Sequence, residues 1–292
     1  MKKYKNIDSF FFIFIIVIII SLIIFYYNIN TYIELYEDKK EIVDIFIKTY
    51  HKDYEWLEYL IKSIKKFASG FRNVIIVSDN DGHTIPDHIK EIMPLTIFYT
   101  DIPTDTSNLD FLGNKNIGYT YQQHIKLSWM NYTDADAILL LDSDEMLTEK
   151  TTPEHFKNNG KYNWYYSEWD ENLDDIVWRA AVDKIFQIKS KYNSMRITGF
   201  IFTKNTTNKL YNFIKEKHNV NNFWELIIKE QLASFSEYNI YGTFIRTIDD
   251  TDYNILSIDN DLKVHNHTII KSWSYGEFTQ ENKDKRNSIL NS

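Results

Sequence analysis

The chain has 292 residues, a net charge of −8, no cysteine, and many aromatics (21 Tyr, 19 Phe, 7 Trp) against 8 Gly and 4 Pro. That length is enough for a large domain with a sizeable core. The acidic balance argues against a nucleic-acid surface, and the absence of cysteine excludes a disulfide framework, a thiolate metal site and a thiol nucleophile.

From Phe10 to Tyr27 the chain is apolar except for Ser21. As a helix this run spans roughly 27 Å at ~1.5 Å per residue, close to the hydrocarbon thickness of a bilayer. Lys2, Lys3 and Lys5 precede it, while Glu34, Glu37 and Asp38 follow, mixed with Lys39 and Lys40. The positive-inside rule then leaves residues 1–9 in the cytosol and the large domain across the membrane. A cleaved leader would carry a shorter apolar region and a small-x-small site, neither of which is visible. The expectation is a single-pass type II membrane protein: a transmembrane signal-anchor over 10–27, a stem over 28–40, one domain over 41–278 and a polar tail over 279–292.

Within the domain, Asp44–Tyr50 reads as a first strand. Asp53–Ser69 places Trp56, Leu57, Leu60, Ile61, Ile64 and Phe67 at helical spacing, with Gly70 as its stop. Asn73–Asp79 is a second strand, Pro86–Met93 a short helix, Leu95–Tyr99 a third strand, Tyr119–Asn131 a helix and Ala137–Leu141 a fourth strand. Alternating strands and helices imply a parallel sheet, whose ligand crevice lies beyond the carboxyl ends of the strands. Thr49–Asp53, Ser78–Asp81 and Asp142–Asp144 all fall there. Beyond them, Tyr162–Trp169 and Arg196–Thr203 read as strands and Leu173–Ile188, Thr207–Glu216 and Asn221–Ser234 as helices.

The most telling segment is Ala-Ile-Leu-Leu-Leu-Asp-Ser-Asp at 137–144. An apolar strand that ends in D-x-D presents two carboxylates from one sheet edge, with Ser143 turned away. Carboxylates that close repel unless a proton or cation lies between them. A hard divalent ion, Mn²⁺ or Mg²⁺, completed by phosphate oxygens, meets that need. No P-loop, dinucleotide fingerprint, G-x-S-x-G elbow or H-E-x-x-H motif occurs. On the helix before the metal strand, Gln122 and Lys126 share a face at i and i+4, with Gln123 beside them.

Three blocks carry a resemblance: Gly118-Tyr119-Thr120-Tyr121-Gln122-Gln123-His124-Ile125-Lys126, Leu141-Asp142-Ser143-Asp144, and Ser236-Glu237-Tyr238-Asn239-Ile240-Tyr241-Gly242. In this order they resemble a little-characterised family of glycosyltransferase-like proteins of bacteria and large DNA viruses. The resemblance spans about Asp44 to Phe278, and it departs at Asn239, where an acid is expected. It implies an α/β fold of the GT-A (Rossmann-like) type: a mostly parallel central sheet flanked by helices, here behind an N-terminal transmembrane helix. It further implies metal-dependent transfer of a sugar from a nucleoside diphosphate sugar to a hydroxyl of a glycan, protein or lipid. Asp142 and Asp144 would hold Mn²⁺ or Mg²⁺, with Asp144 the direct ligand and Asp142 also serving the nucleotide. His265 or His267 would add a C-terminal ligand. Gln122, Gln123 and Lys126 would face the diphosphate or sugar. Glu237 is the candidate general base, because an inverting transfer needs a carboxylate for the acceptor proton. Thr49, His51 and Asp79 are candidates for the nucleoside end, with Tyr50 to stack on the base. Trp164, Tyr165, Tyr166 and Trp169 form either a sugar platform or core. Two rival readings are a non-catalytic sugar-binding protein of the same fold and a D-x-D phosphotransferase. The latter chemistry wants Thr or Val where Met146 stands.

Overall fold

The computed structural model describes residues 14–29, 41–104, 109, 116–195, 197–232, 234–258, 269–271 and 278–292. The chain divides into two units, Met1–Glu41 and Ile42–Ser292. In the first, residues 14–29 form helix α1. Its apolar residues are exposed all round, from Phe14 to Ile29, and the hydroxyl of Ser21 is satisfied inside the helix by the Val17 carbonyl at 2.9 Å. Among the described residues no helix is long and apolar enough to cross a membrane. Residues 10–13 of the expected span lie outside the described set.

The second unit is built on strands β1 (Val43–Thr49), β2 (Val74–Asp79), β3 (Thr96–Thr100), β4 (Ala137–Asp142), β5 (Glu145–Leu147), β6 (Lys157–Asn158), β7 (Lys161–Glu168), β8 (Tyr192–Asn193), β9 (Phe200–Thr203), β10 (Tyr253–Ser257) and β11 (Ile269–Lys271). The helices are α2 (Tyr54–Phe67), α3 (Asp87–Lys90), α4 (Ile117–Leu127), α5 (Leu173–Phe186), α6 (Lys204–His218), α7 (Phe223–Lys229), α8 (Glu237–Thr247) and a C-terminal helix, Gln280–Asn291.

The main sheet has the order β3-β2-β1-β4-β9. Its first four strands are parallel and β9 is antiparallel to β4. Strands β1, β2 and β4 are buried along their whole length, as expected of near-continuous Val/Ile/Leu runs covered on both faces. The chain moves from β1 outward to β3, then returns to place β4 on the other side of β1. The reversal lies between β1 and β4, where open α/β sheets form a crevice at the strand ends. Register aligns those ends: Thr49 pairs with Ser78, Lys48 with Asp142, and Asp79 with Thr100.

Helix α2 buries the face formed by Trp56, Leu57, Leu60, Ile61 and Ile64. It ends at Phe67, with Ala68 already extended. Gly70, the expected stop, instead turns the chain toward β2 at φ +79°. A smaller sheet runs β10-β7-β6, with β8 also on β7, and β11 pairs with β5 as a separate antiparallel ribbon. Trp164 and Tyr165 are core. Trp164 stacks on Phe200 at 4.2 Å and on Tyr241 at 5.1 Å. Tyr166 stacks beneath the Arg246 guanidinium, and Trp169 donates to Ser190. The sugar-platform reading of this group therefore gives way to packing for its first two members.

The segment expected to be a polar tail is structural. Thr279 caps the C-terminal helix, accepting from the Asn282 N–H. Phe278 meets Trp56 of α2 at 4.4 Å, and Arg286 is almost completely buried over the same indole ring. The domain thus extends past 278.

Candidate active site at the strand ends

Asp142 is the last residue of β4, and its two carboxylate oxygens are taken by two ammonium groups. Lys126 Nζ of α4 lies 2.5 Å from Oδ1, and Lys271 Nζ of β11 lies 2.6 Å from Oδ2. Burial alone would raise the Asp142 pKa, but these two cations hold it well below the usual carboxylate range. Desolvation pulls both lysines down, but the combined attraction of Asp142 with Glu237 at Lys126, and of Asp142 with Glu145 and Asp144 at Lys271, leaves both pushed up. Lys271 arrives by strand pairing: β11 sets it directly opposite Glu145 of β5.

Glu145 is fully buried, and its Oε2 accepts from the Asp142 N–H at 3.1 Å. Desolvation and the neighbouring Asp142 and Asp144 push it up to about 8, despite Lys271 at 3.7 Å. Beneath the D-x-D turn, Arg286 donates to the Asp144 carbonyl at 2.6 Å and the Glu145 carbonyl at 3.3 Å. Two buried backbone acceptors at the turn receive side-chain donors this way.

Lys126 makes a second ion pair, with Glu237 Oε1 at 2.7 Å. The Gln123 amide, oriented to donate, also reaches Glu237. Of the three candidates on α4 it is thus Gln123 and Lys126, at i and i+3, that meet in the site, while Gln122 is half-buried. Glu237 lies at the start of α8, which Ser236 caps by accepting from the Asn239 N–H. It is fully buried, and burial raises its pKa against the pull of Lys126. This placement does not suit a base that must meet an acceptor hydroxyl. The carboxylate instead positions Lys126. Asn239, in place of an expected acid, accepts from the Ser194 N–H at 2.6 Å and holds the segment before β9.

On the other side of the switch point, Lys48 of β1 is buried and bonded to Asp79 Oδ1 at 2.5 Å and to the Thr49 carbonyl at 2.8 Å. Burial lowers its pKa, partly offset by Asp79. Asp79 is therefore tied into the charge network and not held ready for a ribose. Thr49 is buried, whereas Tyr50 is exposed. Asp53 precedes α2, and its Oδ2 accepts from Ser143 Oγ at 3.0 Å. Desolvation, then the charges of Asp144 and Asp142, raise Asp53 to about 7. His51 pairs with Asp81 at the exposed rim. His265 and His267 lie outside the described residues.

These neighbours bear on a divalent ion. Asp142 does not fit as its ligand here, because an ammonium already occupies each oxygen. Asp144 with Asp53 does fit: both carboxylates are nearly buried, and the charge of Asp144 adds to desolvation in raising Asp53, a situation a hard cation relieves.

Lys48, Asp53, Glu145, Lys271 and Arg286 were not singled out from the sequence. Lys48 left a signal, a lone cation inside the apolar run Asp-Ile-Phe-Ile-Lys. Asp53 closed a segment already assigned to the crevice. Lys271 and Arg286 reach the site only through tertiary pairing and left none.

No curated protein matches the chain. Residues 40–286 match the model described as Family of unknown function (DUF6492). This stretch takes in β1 and runs to Arg286 beneath the aspartate turn, and the chain belongs to that family.

Proposed function

We propose that the chain is a glycosyltransferase of GT-A-like fold that moves a sugar from a nucleoside diphosphate sugar to a hydroxyl of a glycan, protein or lipid. The observation that carries the reading is the Asp142-Ser143-Asp144 turn at the β1/β4 switch point, walled by Lys48, Lys126 and Lys271. Buried charges of both signs are costly, and a hydrophobic substitute is often neutral or stabilising. A network of this size at a strand-end crevice is thus better accounted for by a charged ligand than by stability.

A Mn²⁺ or Mg²⁺ ion held by Asp144 and Asp53 would stabilise the charge that grows on the leaving diphosphate. Lys271 is the more open of the two lysines on Asp142, its side chain 15% exposed against 2% for Lys126. In this reading it turns toward the diphosphate oxygens, while Glu237 and Gln123 keep Lys126 on Asp142. Thr49 and Tyr50 stand at the nucleoside end, Tyr50 offering its exposed ring to the base. The saturated Asp142 carboxylate weighs against the phosphotransferase reading, which needs that group as nucleophile. The membrane is engaged through the segment 10–27, whose described part is exposed and apolar on all sides, a pattern that suits lipid. The domain then lies on the lumenal or extracytoplasmic side.

Calorimetric titration of the full chain with UDP and with GDP, each with and without Mn²⁺, tests this. The expected result is cation-dependent binding of one nucleotide, lost in Asp144→Asn. Failure of both nucleotides to bind with Mn²⁺, or binding unchanged in Asp144→Asn, would sink the proposal.

A further inference from the structure

We propose that His51, Asp81 and His83 form a second cation site, selective for a zinc-class divalent ion, at the outer rim of the strand-end crevice. It stands independently of the transfer reading. The three side chains each offer one donor atom, and these atoms lie within 4.8 Å of one another. His51 Nδ1 pairs with Asp81 Oδ2, and His83 Nδ1 lies 3.2 Å from Asp81 Oδ1. In a tetrahedral zinc site with bonds of about 2.0–2.1 Å, neighbouring donors stand about 3.3 Å apart. The His83–Asp81 spacing is close to that figure, while His51 now sits in direct contact with the other Asp81 oxygen and would draw back slightly to admit an ion.

The backbone builds this convergence. Strands β1 and β2 are parallel neighbours with Thr49 opposite Ser78. The turns that leave them, one carrying His51 and the other Asp81 to His83, begin at the same sheet edge. Gly82 between Asp81 and His83 has φ +86°, a left-handed conformation that glycine adopts without strain. This folds the Asp-Gly-His turn so that the His83 N–H donates to its own turn's Asp81 Oδ1 at 3.1 Å. That bond fixes the carboxylate, as outer hydrogen bonds do for metal ligands. The Asn80 side chain anchors the turn from the other side through Asp101 at 2.7 Å.

The two imidazoles stack at 4.2 Å with an interplanar angle of 18°. Both present the same nitrogen, Nδ1, toward one carboxylate, leaving each Nε2 for solvent or outer partners. Two protonated rings at that separation repel, whereas two neutral rings can each aim a lone pair at a shared ion. The donor set decides the class of metal. Two imidazoles and one carboxylate suit zinc and similar late first-row ions, while an all-oxygen set suits Mg²⁺ or Mn²⁺. The chain would thus carry two chemically distinct cation sites at one sheet edge. With three protein donors, an exposed His83 and a half-buried His51, the rim site keeps a coordination position for water or for an anionic oxygen of a ligand.

Titration calorimetry of the metal-stripped full chain with Zn²⁺, and separately with Mg²⁺, tests the assignment. One Zn²⁺ should bind at the rim, Mg²⁺ should not compete for it, and Asp144→Asn should leave it unchanged. His51→Ala and His83→Ala should each weaken it by about 100-fold or more, since even an outer-shell loss costs 10–100-fold. His83 is exposed and His51 half-buried at the rim, so circular dichroism should show the variants folded. Absence of Zn²⁺ uptake, or uptake that survives both histidine substitutions, overturns the proposal.

Discussion

The two lysines on Asp142 make a demand at the level of single residues that can be measured. Removing one partner of a buried ion pair leaves an uncompensated charge and costs about 3–5 kcal/mol, while removing both is far milder. Lys271→Met should therefore destabilise the fold strongly, and Asp142→Asn/Lys271→Met should recover much of the loss. Urea unfolding of the double-mutant cycle reads the coupling, and additive effects would dissolve the pair. Glu145 and Asp53 set a pH dependence. Their folded pKa values, about 8 and about 7, lie above the ordinary 4.5 and 3.8. Between roughly pH 4 and pH 8 the folded chain holds protons that the unfolded chain releases, so stability is greatest below this window and falls as pH rises through it. Asp142, shifted the opposite way, loses its contribution only in strong acid. Thermal unfolding should thus show a falling Tm from about pH 5 to pH 8, and Glu145→Gln should flatten the slope. A Tm that rises over that range would contradict the assignment.

At the scale of elements, the parts legible in the sequence were those whose signal is local. β1, β2 and β4 announce themselves by apolar runs bounded by polar turns, and α2 by its 3.6-residue period. Their polar ends fell where a parallel sheet puts its crevice, so Asp142, Asp144 and Lys126 could be placed together. β5 and β11 are three residues each, and nothing in Glu145-Met146-Leu147 or Ile269-Ile270-Lys271 says that they pair across more than a hundred residues. The site lost Lys271 to that silence. The C-terminal helix was hidden differently. Gln280–Asn291 is polar on nearly every face, and its one buried residue, Arg286, reads as surface until Trp56 and the aspartate turn are brought to it. The burial of Glu237 follows from Ser236, which caps α8 and sets the acid in its buried first turn. Two element-scale outcomes follow. Arg286→Ala should cost about 2–4 kcal/mol, from two buried carbonyls left unsatisfied and a lost stack on Trp56. Gly242→Ala should cost about 1–3 kcal/mol or more, because its Cβ would come within 2.1 Å of Ser194 Oγ and 2.6 Å of Trp164 Nε1 in the interior. Both are read from denaturant midpoints.

For the molecule as a whole, the fold supplies a rigid edge on which chemistry is assembled from distant stretches of chain. β1 and β4 give Lys48 and the aspartate turn, α4 gives Lys126, α8 holds it from behind, and β11 and the last helix close the set. Lys48, Lys126 and Lys271 are paired with Asp79, Asp142 and Glu237, and in the proposed reading these internal ion pairs are exchanged for those of an anionic donor. The central claim is that this donor is a nucleoside diphosphate sugar whose leaving group is stabilised at Asp144. The most direct measurement is release of nucleoside diphosphate from a panel of nucleotide sugars by the full chain, with and without Mn²⁺. The account predicts cation-dependent release from at least one donor, reduced by about 100-fold or more in Asp144→Asn, the scale of losing one charge-stabilising group. Release from none of the donors, or release indifferent to Asp144, would contradict it.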